Sequence, residues 1–350
     1  MSGTVNVEVE GLGPFAQRTF LGGTLADFTG AGRVVVSANT IVGEPAVLAA
    51  LALAKARGDV RAAPNGTVCT PGVWLFASRD GASTSERIAA APSAEFDALE
   101  RELPNVAGQP LRVADAWAYR VDHWADLLWA NLLTLGPTLW ARLASPWAVG
   151  WAALRAGSFR PELVAGGLVE RGEGSFVHPS ATVEFSVLGK GARVGAGAVV
   201  RGCLLQEGAV VEELAMVEGC VLGQGARIQR QAMAKYSVIE AAAAHAGTVQ
   251  LGVIGAGAQV RHGAALFDQS LGAPVRVRRA GALVEAPRGM IGVCVGPGAL
   301  LGQGVRVAAG RAIPAGLTVL PDPGGVLTAV DVPAGTTRAH VRGGRLEPLA

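Results

Sequence analysis

The spacing of aliphatic residues in the second half of the chain restricts its fold more than any other feature. Leu188, Val194 and Val200 step by six and Leu205 follows by five, so that Leu188, Leu205, Leu222 and Ile239 are each seventeen apart. Further on, Val295, Leu301, Val307, Ile313 and Val319 step by six without a break. Neither a helix, with 3.6 residues per turn, nor an alternating strand repeats in this way. A triangular coil does. Each hexad lays down one short strand with one aliphatic side chain turned inward, and Gly or Ala takes the corner. Three hexads close a coil, and coils stack about 4.8 Å apart through parallel ladders. A single coil cannot bury its own apolar side, so the array must be continuous and its ends covered. The pattern predicts a left-handed parallel β-helix built on hexapeptide repeats.

Stacking places Ser186, Cys203, Cys220 and Ser237, each opening a seventeen-residue block, in one column of small side chains. Four cysteines (Cys69, Cys203, Cys220, Cys294) with no CxxC spacing read as free thiols in a reducing compartment. The six-residue step fails between Leu266 and Ile291, which predicts a loop inserted at about 267–290 on one face. After Pro321-Asp322-Pro323 the hexads stop, and 323–350 reads as a capping tail with a hairpin. The expected division is therefore an α/β domain over 1–160, the β-helix over 161–322 and the tail over 323–350.

The first 160 residues mix periods. Gly32–Ser37 and Val68–Ala77 read as strands, Glu44–Arg57 as a helix with Pro45 in its first turn and Gly58 closing it, and Ser85–Leu103 as largely helical. Asp122 reads as the N-cap of a further helix. Six of the seven tryptophans fall within 117–151, and such a cluster suggests helices that seal the open end of the β-helix or face another subunit.

With 350 residues, half of them apolar and only 17% charged, the chain is long enough for two or three packed domains and too apolar for disorder. The 30 basic residues nearly balance the 28 acidic ones, and no basic block occurs, which argues against nucleic acid or an anionic membrane as the main partner. No signal-like N-terminus and no apolar run long enough to span a bilayer is visible, so a cytoplasmic protein is expected.

An α/β region, then Val121-Asp122-His123-Trp124-Ala125-Asp126-Leu127-Leu128-Trp129-Ala130-Asn131, then a hexapeptide array resembles the nucleoside-diphosphate-sugar pyrophosphorylases. Within them it is most similar to the bifunctional N-acetylglucosamine-1-phosphate uridyltransferase/glucosamine-1-phosphate acetyltransferase (GlmU)-like enzymes. The resemblance implies that Asp122 helps hold Mg²⁺ and that a Gly-rich loop and a second Asp complete a nucleotidyl-transfer site. Here the loop is reduced to Gly22-Gly23-Thr24-Leu25 with no following basic residue. The second Asp aligns with Asn39, an amide and a poorer Mg²⁺ ligand than a carboxylate. Nucleotidyl transfer is therefore not expected, and no metal site either.

For the β-helix the resemblance implies acyl transfer from acyl-CoA, acetyl-CoA first, to a sugar phosphate or nucleotide sugar. His245 would be the general base, since a neutral imidazole of pKa about 6.5 can take the proton of an attacking amine. His245 stands nine residues before Ile254, as in the family stretch. Asp268 and Gln269 lie where the family contacts the acyl donor, and Lys235 is the nearby cation for a phosphate. The family's Tyr three residues after the His is Thr248 here. His262, seventeen residues after His245, is expected to stack near it, while His178 and His340 supply no third metal ligand. A homotrimer is implied as well. Two classes of function remain open: a CoA-dependent acyltransferase, or a non-catalytic sugar-nucleotide-binding, regulatory or scaffold member; a third reading, a sugar-phosphate nucleotidyltransferase, must explain the missing phosphate loop.

Overall fold

The structure, a computed structural model, describes residues 8–14, 17–20, 23–24, 34–36, 39–65, 69–78, 85–106, 109–270, 272–322 and 326–349. The chain divides into two compact units. Thr24–Asp122 forms most of the first; His123–Ala350 forms the second, together with Val9–Gly13 and Arg18–Gly23. The division thus falls after Asp122 rather than near residue 160, and the tryptophan-rich helices belong to the β-helix unit.

In the first unit, helix α1 (Glu44–Arg57) is the one the sequence predicts, with Pro at its start and Gly58 at its end. Its alanines 46, 50 and 54 share one side and pack on Val60, Leu75 and Ala77. Those residues belong to a four-stranded sheet in the order 34–36, 75–77, 60–65, 93–97. The segment 85–103, expected to be helical, is instead a short α2 (Ser85–Ala90) followed by strands Ser93–Asp97 and Glu100–Val106. Pro92 ends the helix by removing a backbone donor, and the exposed–intermediate alternation of 93–97 has the strand period.

The second unit is a parallel β-solenoid whose three faces contain eight, ten and eight strands. Face one includes 186–188, 204–205, 221–222, 238–239, 253–254, 294–295 and 312–313; face two runs through 193–194, 227–228, 244–245, 259–260 and 300–301; face three runs through 182–184, 199–201, 216–218, 233–235 and 248–250. The predicted inward residues Val194, Leu205, Leu222, Ile239, Ile254 and Leu301 are all buried. The small-residue column forms as expected: Cys203 N donates to Ser186 Oγ (3.0 Å) and Cys220 N to Cys203 Sγ (3.4 Å). All four cysteines are free and buried. Burial pushes the Cys203 thiol up to about 12, so its nucleophilic thiolate form is suppressed.

Face one differs from the others because its outward side chains are also buried. Val187, Leu204, Val221, Val238, Val253 and Cys294 form an apolar column there. Helix α3 (Trp124–Leu143) runs along it, and the strand Thr19–Phe20 lies against Val221–Leu222. At one end of α3 Arg142 clamps Glu170 through two bonds of 2.7 and 2.6 Å, and at the other Trp124 and Cys294 both lie against Gly11. Six strand spacings separate Glu170 from Cys294 in the ladder, about 29 Å, and twenty helical residues span about 30 Å. The tryptophan cluster therefore does not seal the open end. Trp124 and Trp129 serve the covered flank, whereas Trp140 and, on α4 (Pro146–Ala156), Trp147 and Trp151 are exposed.

The 267–290 interruption emerges as an antiparallel hairpin, Arg276–Arg279 with Ala282–Glu285, and the solenoid resumes at Cys294–Val295. In the tail, strand Arg338–Arg342 adds parallel to Thr318–Leu320 and turns back through Arg345–Pro348.

Candidate functional site

His245 lies inside the coil. It occupies the inward column of face two between Ile228 and Val260 and is 0% exposed. The corner that follows it is two residues shorter than the one beneath, since Ile228 to Met233 becomes His245 to Thr248. Nε2 sits 3.2 Å from the Met233 carbonyl, and because a carbonyl can only accept, that nitrogen carries the hydrogen. Nδ1 is buried without a partner. Burial pulls the pKa down to about 4, against the Met233 and Gly247 backbone groups, which favour the charged ring. A general base must reach the proton it removes. Buried inside the coil, His245 is not placed to act as the general base that the resemblance implies. The shortened coil also shifts the register, so that Val260 rather than His262 stacks on His245, and His262 is exposed on a turn. Among the described residues, no group of three His, Cys, Asp or Glu side chains could hold a metal.

Lys235 and Asp268 do come together along one edge of face three. Lys235 is register-paired with Gln250, whose Nε2 donates to Asp268 Oδ2 (2.9 Å), and Gln269 is exposed beside it. Burial raises the Asp268 pKa, countered by its own backbone amide and by Gln250. Lys235 Nζ, however, is engaged by Glu218 at 2.8 Å, within an edge that reads Glu184, Arg201, Glu218, Lys235 in successive coils. Opposite charges neutralise one another along this ladder. A phosphate at Lys235 would have to displace Glu218.

In the first unit, Asp122 Oδ1 accepts from the Asn39 amide (2.5 Å) and Oδ2 lies 2.6 Å from Arg120 Nε. A carboxylate held by a guanidinium and an amide has one lone pair on each oxygen engaged and its charge balanced by the arginine. Of the expected phosphate loop, Gly23–Thr24 is a two-residue strand; Gly22 and Leu25, like Ala38 before Asn39, lie outside the described residues. Asp122 does not cap α3 either. His123 does, its Nδ1 accepting from Ala125 N (3.1 Å), while Asp126 Oδ2 accepts from His123 N (3.1 Å) to close a capping box.

That helix start organises a cavity the motifs did not announce. Asp126 also accepts two bonds from Arg279 (3.0 and 2.6 Å), His123 Nε2 donates to the Arg278 carbonyl (3.2 Å), and Glu10 accepts from Ala280 N (3.0 Å). Burial lowers the pKa of His123, although Asp126 opposes the shift, so the ring stays a neutral strut. Together these bonds fasten the hairpin over a cavity of about 340 Å³, walled by Trp124, Leu283, Ile313, Pro314 and Val330 and carrying Arg278, Arg311, Glu10 and Asp331. Arg311 donates to the carbonyls of Thr328, Arg276 and Ala309, and among the described residues it meets no carboxylate. Burial and the neighbouring charge of Arg278 lower its pKa. Among the described residues Arg278 reaches Asp331, at 4.0 Å, and the Gly281 carbonyl. A mostly apolar recess of this size, in which Glu10 and Asp331 balance the overall charge while Arg311 itself meets no carboxylate among the described residues, can accept an anion attached to an apolar body at Arg311. The one sequence signal for it was the arginine-rich run Arg276-Val277-Arg278-Arg279 within the interruption.

No family model and no curated protein matches the sequence, so the GlmU-like resemblance rests on the motifs quoted above alone. Solved structures that match include that of the polysialic acid O-acetyltransferase OatWY, at 14% identity over 51% of this chain and 87% of that one, with a TM-score of 0.20. The polySia-specific acetyltransferase NeuO matches over 51% of this chain and 85% of that one, at the same identity and TM-score.

Proposed function

We propose that this chain binds an anionic small molecule with an apolar portion under its 276–285 hairpin, and acts as a binding or scaffold member of the hexapeptide-repeat class. Acyl-CoA, through its acyl chain and adenine, and nucleotide sugars, through their base, belong to that ligand class; a sugar phosphate offers the anion alone. The observation that carries the reading is Arg311: a half-buried guanidinium on an apolar wall, with carbonyl partners only and a second arginine beside it. An incoming phosphate or carboxylate removes the repulsion between Arg278 and Arg311 and gains charge-assisted bonds. Assembly as a closed trimer belongs to the same proposal. With face one under α3, face three offers the partly exposed apolar column Val199, Met216 and Met233 for self-association.

A second reading, acyl transfer from acyl-CoA to a sugar hydroxyl or amine, is favoured by Asp268. Its half-buried carboxyl, raised in pKa, stands at the root of the hairpin and beside Gln269, as a proton acceptor near a donor site would.

Thermal unfolding with acetyl-CoA, CoA, UDP-N-acetylglucosamine and glucose 1-phosphate tests both. A ligand at a hundred times its Kd stabilises the native state by about 2.7 kcal/mol, a shift of several degrees. The shift is expected to vanish in Arg311→Gln. Stabilisation by none of these ligands, or a shift unchanged in Arg311→Gln, overturns the binding reading. Release of CoA thiol that requires an acceptor and is lost in Asp268→Asn establishes the second reading over the first.

A further inference from the structure

The short helix α4 is built the wrong way round for a surface helix. Its protein side is small: Ala152 and Ala153 are buried, and a side chain at Gly167, on α5 (Pro161–Gly167), would come within 2.9 Å of the Ala152 Cβ. Its outer side is large. Trp147, Trp151 and Leu154, spaced i, i+4 and i+7 and hence on one stripe, are 89, 63 and 71% exposed, and Phe159 just beyond the helix is 91% exposed. An ordinary amphipathic helix buries its large apolar side chains and leaves the small or polar ones outside. Leaving this stripe in water forgoes the stabilisation that burying each ring would bring.

Within α4 and the turn after it, the charge has one sign. Between Asp126 and Glu162 the only charged residues are Arg142, Arg155 and Arg160. Arg142 is committed to Glu170, whereas Arg155 and Arg160 are exposed and make no ion pair among the described residues. The whole chain is nearly neutral, so its balance conceals this local excess.

We propose that α4 and the turn after it form a docking surface for an anionic lipid bilayer, with Trp147, Trp151, Leu154 and Phe159 entering the headgroup region and Arg155 and Arg160 pairing with lipid phosphates. Tryptophan prefers the membrane–water boundary, and an arginine stem lies along the apolar surface while its head reaches the phosphates. No helix among the described residues is long and apolar enough to cross a membrane, so the contact is a surface one. Charge complementarity selects lipid over a second copy of the chain. A two-fold self-contact sets this patch against the same patch, which would gather Arg155 and Arg160 from both copies with no carboxylate in 127–161 to offset them, and the trimer proposed above uses face three instead.

Flotation of the full chain with vesicles tests the proposal, using phosphatidylcholine alone and phosphatidylcholine with about a third phosphatidylglycerol. The native protein is expected to float with the anionic vesicles at low salt, and roughly tenfold less or worse on neutral vesicles or at about 0.5 M salt. Trp147→Ser/Trp151→Ser is expected to abolish flotation, and Arg155→Gln/Arg160→Gln to weaken it by roughly tenfold or more. Each variant should unfold at the native temperature, because the replaced groups contact little of the protein. Absence of anionic-vesicle binding overturns the proposal. So does binding undiminished in the tryptophan pair variant. A tryptophan variant that turns an oligomer into a monomer, with no vesicle binding by the parent, assigns the face to self-association and overturns it as well.

Discussion

The solenoid and the N-terminal unit differ in whether a position has copies of itself. In the solenoid, Val221 can be compared with Val187, Leu204, Val238 and Val253 above and below it, and all five are buried on the outward side of face one. The equivalent outward column of face two reads Arg193, Val210, Arg227, Ala244 and Gln259, with the arginines and Gln259 exposed. Two faces of one repeat thus announce by residue type alone which is covered and which meets water. Nothing in the N-terminal unit is repeated, so Asp122 has no equivalent against which its role can be checked. Periodicity makes the chemistry of each position redundant, and redundancy is what can be read.

The largest effect should come from charging the covered positions. Leu222→Asp places a carboxylate among inward aliphatic side chains with no partner, a cost of several kcal/mol that should eliminate folded protein on expression. Val221→Asp, one residue earlier and facing outward, should be nearly as damaging because its side chain is also buried, with the strand Thr19–Phe20 against it. Gln259→Lys, outward on face two, should change stability by no more than about 0.5 kcal/mol in denaturant unfolding. A harmless Val221→Asp would break the distinction between the faces.

Next comes the buried pair that ties the segment 18–23 to the solenoid. Arg18 Nη1 lies 2.7 Å from Glu240 Oε2, both side chains essentially buried, and Ala256 N donates to the same oxygen at 3.0 Å. Arg18→Ala strands a carboxylate in the interior and should cost about 3–5 kcal/mol, measured by urea unfolding at neutral pH. The double variant Arg18→Ala/Glu240→Gln should recover much of that loss.

His245 is the exception within the solenoid, the one ionisable side chain in its column, and its effect should appear with pH. The folded ring titrates at about 4 and the unfolded one near 6.5, so between these values the unfolded state holds the extra proton. Stability contributed by the neutral ring is therefore complete above about 6.5 and falls as pH drops towards 4, by on the order of 3 kcal/mol. His245→Leu should remove that slope and, by replacing the unpartnered Nδ1 with hydrocarbon, raise stability at neutral pH by about 1 kcal/mol. An unchanged slope between pH 6.5 and 4 would place the ring's proton elsewhere.

The same asymmetry explains what could be read before the fold was known. The hexad step gave the inward column residue by residue, the small-residue ladder of Ser186, Cys203 and Cys220, and the position of the interruption. The side to which His245 points could not be taken from a matching motif. It follows from its parity in face two, which pairs it with Ile228 and Val260, and the motif alignment ignored that parity. The fifteen-residue coil from Ile239 to Ile254 was likewise concealed by counting in seventeens. The cavity was illegible for another reason. Glu10, His123, Arg278, Arg311 and Asp331 come from five separate segments, brought together by the bonds of the hairpin to Asp126, His123 and Glu10.

The smallest predicted effect belongs to the aperiodic unit, at the residue the resemblance would make a metal ligand. Asp122 is partly exposed and its ion pair with Arg120 is more than half open to solvent on the arginine side, so screening leaves it worth little. The Asn39 bond adds a charge-assisted interaction that is partly buried. Asp122→Ala should therefore cost about 1 kcal/mol in unfolding experiments, with Asn39 losing its acceptor. If the carboxylate serves this local pairing, adding Mg²⁺ should not stabilise the parent protein, and neither parent nor variant should catalyse pyrophosphorolysis of a nucleotide sugar. If Asp122 is instead a working metal ligand, millimolar Mg²⁺ will raise the melting temperature of the parent and not of Asp122→Ala, and turnover will disappear with the carboxylate. That result would give the N-terminal unit a chemistry that Arg120 and Asn39 now oppose.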